Sequence, residues 1–214
     1  MTSAKAIVRY SQTTLPTTHG VLTMVVFREA SGLEHVAMVA GDIHGDNVLC
    51  RVHSECLTSE VFGSLKCECK EQLDASLDLI ARRGRGVVIY MRGHEGRGIG
   101  LGDKIRAYAL QEQGHDTVDA NRILGLPDDA RDFTHVRAML DDLGVNSISL
   151  LTNNPLKVEA MKRLGVVVNE RMPHVVIGSP TAMRYLRTKG ARMGHLVANT
   201  NTSKPADDAS YAAK

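Results

Sequence analysis

The chain has no tryptophan, three phenylalanines and five tyrosines, so aliphatic side chains must fill whatever core it builds. No apolar run approaches the roughly 20 residues of a membrane span. The opening stretch "MTSAKAIVRYSQTTLP" also lacks the apolar segment of a signal peptide. These absences predict a cytoplasmic protein with no membrane partner. Basic residues form no block: 26 Lys and Arg stand against 24 Asp and Glu, a formal charge of +2, with no basic stripe interleaved with aromatics. That argues against nucleic acid as a partner, yet local cations remain available for a phosphorylated small molecule. With 43% hydrophobic and 23% charged residues, the composition is that of a globular chain, neither disordered nor fibrous.

Cysteine is scarce too, yet three of the four, Cys56, Cys67 and Cys69, crowd into fourteen positions with the spacing C-x10-C-x-C. In a reducing compartment, clustered thiols are metal ligands or reactive groups before they are disulfides. Soft thiolates suit zinc. Three protein ligands leave a fourth tetrahedral position for water, whose pKa the metal lowers, and that points to hydrolysis. Two other readings stay open: three buried free thiols, or a closed structural site completed by His53. Cys50 lies in a strand-like run and reads as packing.

Along the chain, 21–27, 35–43 and 48–53 are Val-rich and separated by Gly-containing turns, which predicts an antiparallel meander. From residue 70 the period becomes helical: Leu73, Leu77 and Ile80 share a face, and Gly84 marks the stop. Residues 87–91 read as a buried strand. Leu101, Ile105 and Tyr108 predict the apolar face of a helix ending at Gly114. Phe133, Val136, Leu140 and Leu143 predict another, ending at Gly144. Residues 147–151 form a further strand, Asn154 caps a helix opening on Pro155, 166–168 is a short strand, and 181–193 is a last helix. The expectation is an α/β fold, a mixed sheet with an N-terminal antiparallel meander and helices packed on it. One catalytic domain over 1–197 and a disordered tail over 198–214 complete it.

"YMRGHEGRGIGLGDKIRAY" is a strand, a glycine-rich turn and a helix start, an arrangement that binds phosphate through backbone N–H groups. It matches neither the P-loop nor the dinucleotide fingerprint. Arg92, Arg97, Lys104 and Arg106 add positive charge, the last two equally explained as a solvated helix face. Glu95 is an acid in a cationic loop, which suggests a base edge or a metal-bound water as its partner, or a simple exposed turn. In "LPDDARDF", Asp129 reads locally as a helix cap. Lys157 falls in a helix's first turn, where a lysine opposes the dipole unless it meets an anion.

Taken together and in order, "RVHSECLTSEVFGSLKCECKEQL", "RGHEGRGIGLGDKIRAYALQEQGHDTVDAN", "DDARDF" and "LLTNNPLKVEAM" resemble the GTP cyclohydrolase II family of riboflavin biosynthesis, from about Leu15 to His195. The resemblance is to its monofunctional form, without the domain that makes 3,4-dihydroxybutanone phosphate. It implies a catalytic zinc on Cys56, Cys67 and Cys69. It implies GTP contacts at Arg51, Val52, His53, Ser54, Glu55, Gln72, Glu95, Gly96, Arg97, Thr117, Thr152 and Lys157, with Glu95 reading the guanine edge. It implies catalytic roles for Tyr108, Asp129 and Arg131, Mg²⁺ on the triphosphate, and a homodimer. The implied products are formate, pyrophosphate and 2,5-diamino-6-(5-phosphoribosylamino)pyrimidin-4-one. The family's picture makes Asp129 a proton acceptor and Arg131 a nucleophile. A guanidinium stays protonated near neutral pH and has no free lone pair, so Arg131 is read here as a charge stabiliser. Lys66, Glu68 and Lys70 stand where many members have Arg, Asp and Gly, and Gly93-His94 lengthens the approach to Glu95 by one residue. Tyr108 resembles the type that completes the reaction; paralogues that differ there retain the formyl group.

Overall fold

The computed structural model describes residues 7–174 and 176; the helix expected over 181–193 and the tail over 198–214 lie outside them. Seven strands form one sheet in the order β1-β2-β3-β5-β4-β6-β7. These are β1 (Ile7–Thr17), β2 (Gly20–Glu29), β3 (Glu34–Ala40), β4 (Val48–Ser54), β5 (Gly86–Met91), β6 (Ser147–Leu151) and β7 (Val167–Met172); the helices are α1 (Leu57–Glu60), α2 (Cys69–Arg83), α3 (Glu95–Gly98), α4 (Leu101–Glu112), α5 (Thr117–Ile123), α6 (His135–Asp142) and α7 (Pro155–Arg163). β1, β2 and β3 pair antiparallel, and β3 pairs antiparallel with β5. β4 pairs parallel with both β5 and β6, and β6 with β7. The mixed sheet with its N-terminal meander is therefore as expected, with one correction. The run 48–53 does not continue the meander but enters the parallel half as β4. Its first six residues are all buried, the continuous pattern of a strand covered on both faces.

Two apolar layers cover the sheet. On one face Val25, Val52, Ile89 and Ile148 pack with Val136, Met139 and Leu140 of α6 (His135–Asp142) and Met161 of α7 (Pro155–Arg163). On the other, Leu22, Leu49 and Val88 meet Ile80, with Leu73 and Leu77 beside it, from α2 (Cys69–Arg83). Ile80 is fully buried, a contribution of about 1.5–3 kcal/mol. Gly84, left-handed at φ 64°, ends α2 where the sequence placed the stop. Asn154 accepts from the Leu156 N–H at 3.0 Å and Pro155 opens α7.

Three features depart from the sequence reading. β1 was not expected, because nearly all its residues are exposed and show no buried alternation; it is an edge strand, tied to α6 by Arg9 and Asp142 at 2.7 Å. A short helix at Thr117–Ile123, capped by Asp116 through the N–H groups of Val118 and Asp119, was missed as well. The helix α4 (Leu101–Glu112) exists as expected but faces the other way: Lys104 and Ala107 are buried, while Leu101 and Ile105 are 41% and 49% exposed. α4 packs against the neighbouring Glu95–Gly98 and Thr117–Ile123 segments rather than on an apolar sheet face, and its inward side lines a polar cleft. No helix among the described residues is long and apolar enough to cross a membrane.

Candidate functional site

In α/β sheets, ligands bind beyond the carboxyl ends of the parallel strands, and a cleft opens there. β4 delivers Arg51, His53, Ser54 and Glu55 to its wall, followed by Cys56. Cys67, Cys69 and Gln72 come from the next loop and the start of α2. Gly96 and Arg97 follow β5, Thr152 and Lys157 follow β6, and Tyr108, Thr117 and Arg131 close the remaining side.

Three residues expected at the site stand off the wall. Val52 turns its side chain into the core and reaches the cleft region only through its carbonyl, which accepts from Lys157 Nζ at 2.8 Å. Glu95 is buried; its carboxylate accepts from Lys104 and, at 2.6 Å, from the Leu57 N–H. Asp129 caps no helix, since α6 begins at His135. It instead holds Arg131, accepting from its N–H at 3.1 Å, Nε at 2.9 Å and Nη2 at 2.5 Å. That forked pairing fixes the guanidinium, and although burial raises the Asp129 pKa, Arg131 holds it below the usual range.

The three thiols converge. Their sulfurs all lie within 4.8 Å of one another, with Cys56 and Cys67 Sγ 3.6 Å apart. A tetrahedral zinc with bonds of about 2.3 Å needs sulfurs about 3.8 Å apart, so the trio fits a soft dication. Hydrogen bonds from Cys67 and Cys69 and the nearby Lys104 ammonium hold Cys56 well below the ordinary thiol pKa, while the same sharing raises Cys67 and Cys69. Cys50, fully buried and outside the group, is pushed up to about 12 by burial and is packing. The rival that made His53 a fourth ligand finds no support among the described residues. His53 Nε2 is 2.7 Å from Glu60 Oε1, whose other oxygen accepts from Tyr90 Oη at 2.5 Å, and no histidine joins the thiol group.

Cationic side chains line the same cleft. Arg51 donates to Leu151 O at 3.0 Å and Gln72 Oε1 at 2.7 Å, and burial lowers its pKa to about 10. Burial, then Arg51 and Arg131, push Lys157 well below its ordinary value. The glycine-rich loop is stitched to the Asp129–Arg131 segment: Ala130 N–H donates to Arg97 O at 2.9 Å. Gly98 sits at φ 87°, and a Cβ there would meet the Ala130 carbonyl at 2.8 Å, so the two segments meet only because it is glycine.

The resemblance implies no role for His94, Lys104 or His174, yet all three line the cleft. His94 Nε2 donates to Asp132 O at 2.8 Å, leaving Nδ1 to accept from Ser54 Oγ at 3.2 Å; burial lowers its pKa to about 4. His174 Nε2 lies 2.8 Å from Gln72 O, and burial likewise lowers it to about 4. Lys104, equally readable as a phosphate-binding charge or as a solvated helix face, is 7% exposed. The dipole argument that singled out Lys157 applies equally to Lys104 in the first turn of α4 and would have found it.

Three thiols in mutual reach in a cation-lined cleft at the ends of parallel strands define a class: α/β proteins whose cleft sets a trio able to hold a metal beside positive charge. The family model for GTP cyclohydrolase II matches residues 8–173, and the chain belongs to that family. Among curated relatives, the riboflavin biosynthesis protein RibBA of Nocardia farcinica is 53% identical over 193 residues, covering 89% of this chain and 47% of that protein. RibBA of Rhodococcus erythropolis is 50% identical over 214 residues, covering 94% and 50%. The chain thus spans about half the length of the curated relatives it matches. A solved two-domain 3,4-dihydroxy-2-butanone 4-phosphate synthase from A. baumannii shares 21% identity at a TM-score of 0.45, over 80% of this chain and 41% of that one.

Proposed function

We propose that this chain is a zinc-dependent GTP cyclohydrolase II domain, which hydrolyses GTP with opening of the guanine imidazole ring and release of formate and pyrophosphate. The observation that carries the reading is that the Cys56, Cys67 and Cys69 trio and the cationic residues Arg51, Arg97, Arg131 and Lys157 line one cleft. Bound to the trio, zinc supplies Lewis acidity and an activated water for hydrolysis. The chain's own residues do the rest. Arg97 and Lys157, with Mg²⁺ on the triphosphate, neutralise phosphate charge. Arg131, locked by Asp129, stabilises the charge that builds up as pyrophosphate leaves. Ser54 and His94 tie the end of β4 to the Asp132 backbone beside the cleft. Tyr108 stands on the cleft wall at the position expected to carry the reaction through formate release. The geometry favours Glu95 as an internal anchor over a direct reader of the base, because both its oxygens are engaged within the protein. A cytoplasmic homodimer is the form proposed for the active protein.

The test is to incubate zinc-loaded protein with GTP and Mg²⁺ and quantify formate and pyrophosphate together, with Cys56→Ser alongside. Equal yields, abolished in the variant, support the full reaction. Pyrophosphate without formate would instead mark the type that retains the formyl group, and neither product would leave a nucleotide-binding module whose metal is structural.

A further inference from the structure

Lys104 lies against three acceptors. Its ammonium donates to Glu95 Oε1, to Thr58 Oγ1 at 2.7 Å and to Cys56 Sγ at 3.2 Å. An ammonium has three protons and no acceptor site, so each proton has one partner. Thr58 takes one of those protons and keeps its own for Cys56 Sγ, 3.7 Å away. Glu95 is itself anchored by the Leu57 N–H. The backbone is shaped for this approach: Gly96 sits at φ 58°, and a Cβ there would meet Lys104 Cβ at 3.0 Å and Ile99 Cγ1 at 2.9 Å.

We propose that Lys104 is a positioning residue for the metal, holding the Cys56 sulfur at a fixed place and drawing charge from it. The inference rests on the zinc reading above. Three thiolates around a dication leave one net negative charge, and the Lys104 cation stands in hydrogen-bond contact with one of those sulfurs, so it stabilises the loaded site. By withdrawing density from Cys56 it also counters the strong donation of an all-sulfur set, which would otherwise blunt the Lewis acidity of a bound metal. Thr58 reinforces both effects. Arginine keeps the charge but cannot make all three contacts, because a planar fork does not match three acceptors arranged around a point.

The test measures zinc affinity by chelator competition and, in cobalt-loaded protein, the sulfur-to-metal charge-transfer band. Lys104→Met alone would orphan the buried Glu95, so the main variant is the double Glu95→Gln/Lys104→Met, with Glu95→Gln alone as control. Lys104→Arg keeps the charge and the Glu95 pairing should the double fail to fold. The double is expected to bind zinc about 10- to 100-fold more weakly and to move the band to longer wavelength, since an unsolicited thiolate donates more readily. Glu95→Gln alone keeps the band, and Lys104→Arg falls between. A double variant with wild-type affinity and band overturns the role of Lys104, as does an equal shift from Glu95→Gln alone. If the wild-type protein forms no thiolate–cobalt band, the zinc reading falls and this inference with it.

Discussion

Two lysines are buried at this site to the same degree, Lys104 at 7% and Lys157 at 6% exposure, and their surroundings are opposite. Lys104 meets a carboxylate, a hydroxyl and a thiol. Burial acts to lower its pKa, but Glu95 and the Cys56 thiolate more than offset that and hold it above the ordinary value. Lys157 has a carbonyl from Val52 and the ring of Phe133 at 5.4 Å; burial, then Arg51 and Arg131, outweigh the nearby Asp129 carboxylate, and its pKa falls well below the ordinary value. One lysine is completed by the protein. The other is left for an anion to complete, and this separates the scaffold of the thiol trio from the residues proposed to receive phosphate.

The comparison gives opposite signs on substitution. Lys104→Met strands Glu95 as an unpaired buried charge and is expected to lower stability by about 3–5 kcal/mol, read as a shift of the urea midpoint. Lys157→Met removes a cation that folding has to desolvate, so the free protein is expected to keep or gain stability while its affinity for GTP drops about 100-fold. The pH dependence follows from the same shift. Between the lowered pKa of Lys157 and its ordinary 10.5, the unfolded chain holds the extra proton, so stability rises with pH across that window, and Lys157→Met removes the rise. Equal destabilisation by both variants would break the comparison.

Smaller effects test how the walls are joined. Gly98→Ala forces a side chain onto the Ala130 carbonyl in a left-handed backbone and is expected to cost about 1–3 kcal/mol, with turnover reduced more than metal content. His94 and His174 are held neutral by burial, each moved from 6.5 to about 4. As pH falls from 6.5 to 4 the unfolded chain takes up protons the folded one refuses, so stability declines by about 3 kcal/mol per histidine. His174→Asn is expected to remove roughly half of that decline in melts across the range.

What was legible in the sequence follows the same division. Leu73, Leu77 and Ile80 read true because α2 lies on an apolar sheet face, where periodicity reports burial. α4 obeys the same helical period, but its inward side meets the cleft, so the apolar residues Leu101 and Ile105 are exposed and Lys104 is buried. β1 left no pattern because almost none of it is buried. The cysteine spacing pointed to a metal trio, yet could not exclude His53 as a fourth ligand; that took the Glu60 contact, which joins residues seven apart. Asp129 looked like a cap because an acid two residues before its partner in a loop carries the same local signature whether it meets a helix or an arginine. Resemblance reached most of the cleft wall, but His94, Lys104 and His174 needed the fold to bring them there.

The most direct measurement is the proton balance of pyrophosphate binding to the zinc-loaded protein, by calorimetry in buffers of different ionisation enthalpy between about pH 7 and about pH 10. If Lys157 waits for an anion, binding draws a proton onto it, and the uptake disappears in Lys157→Met. Binding with no proton uptake, or uptake that survives the substitution, would contradict the division between a lysine the protein completes and one it leaves for its ligand.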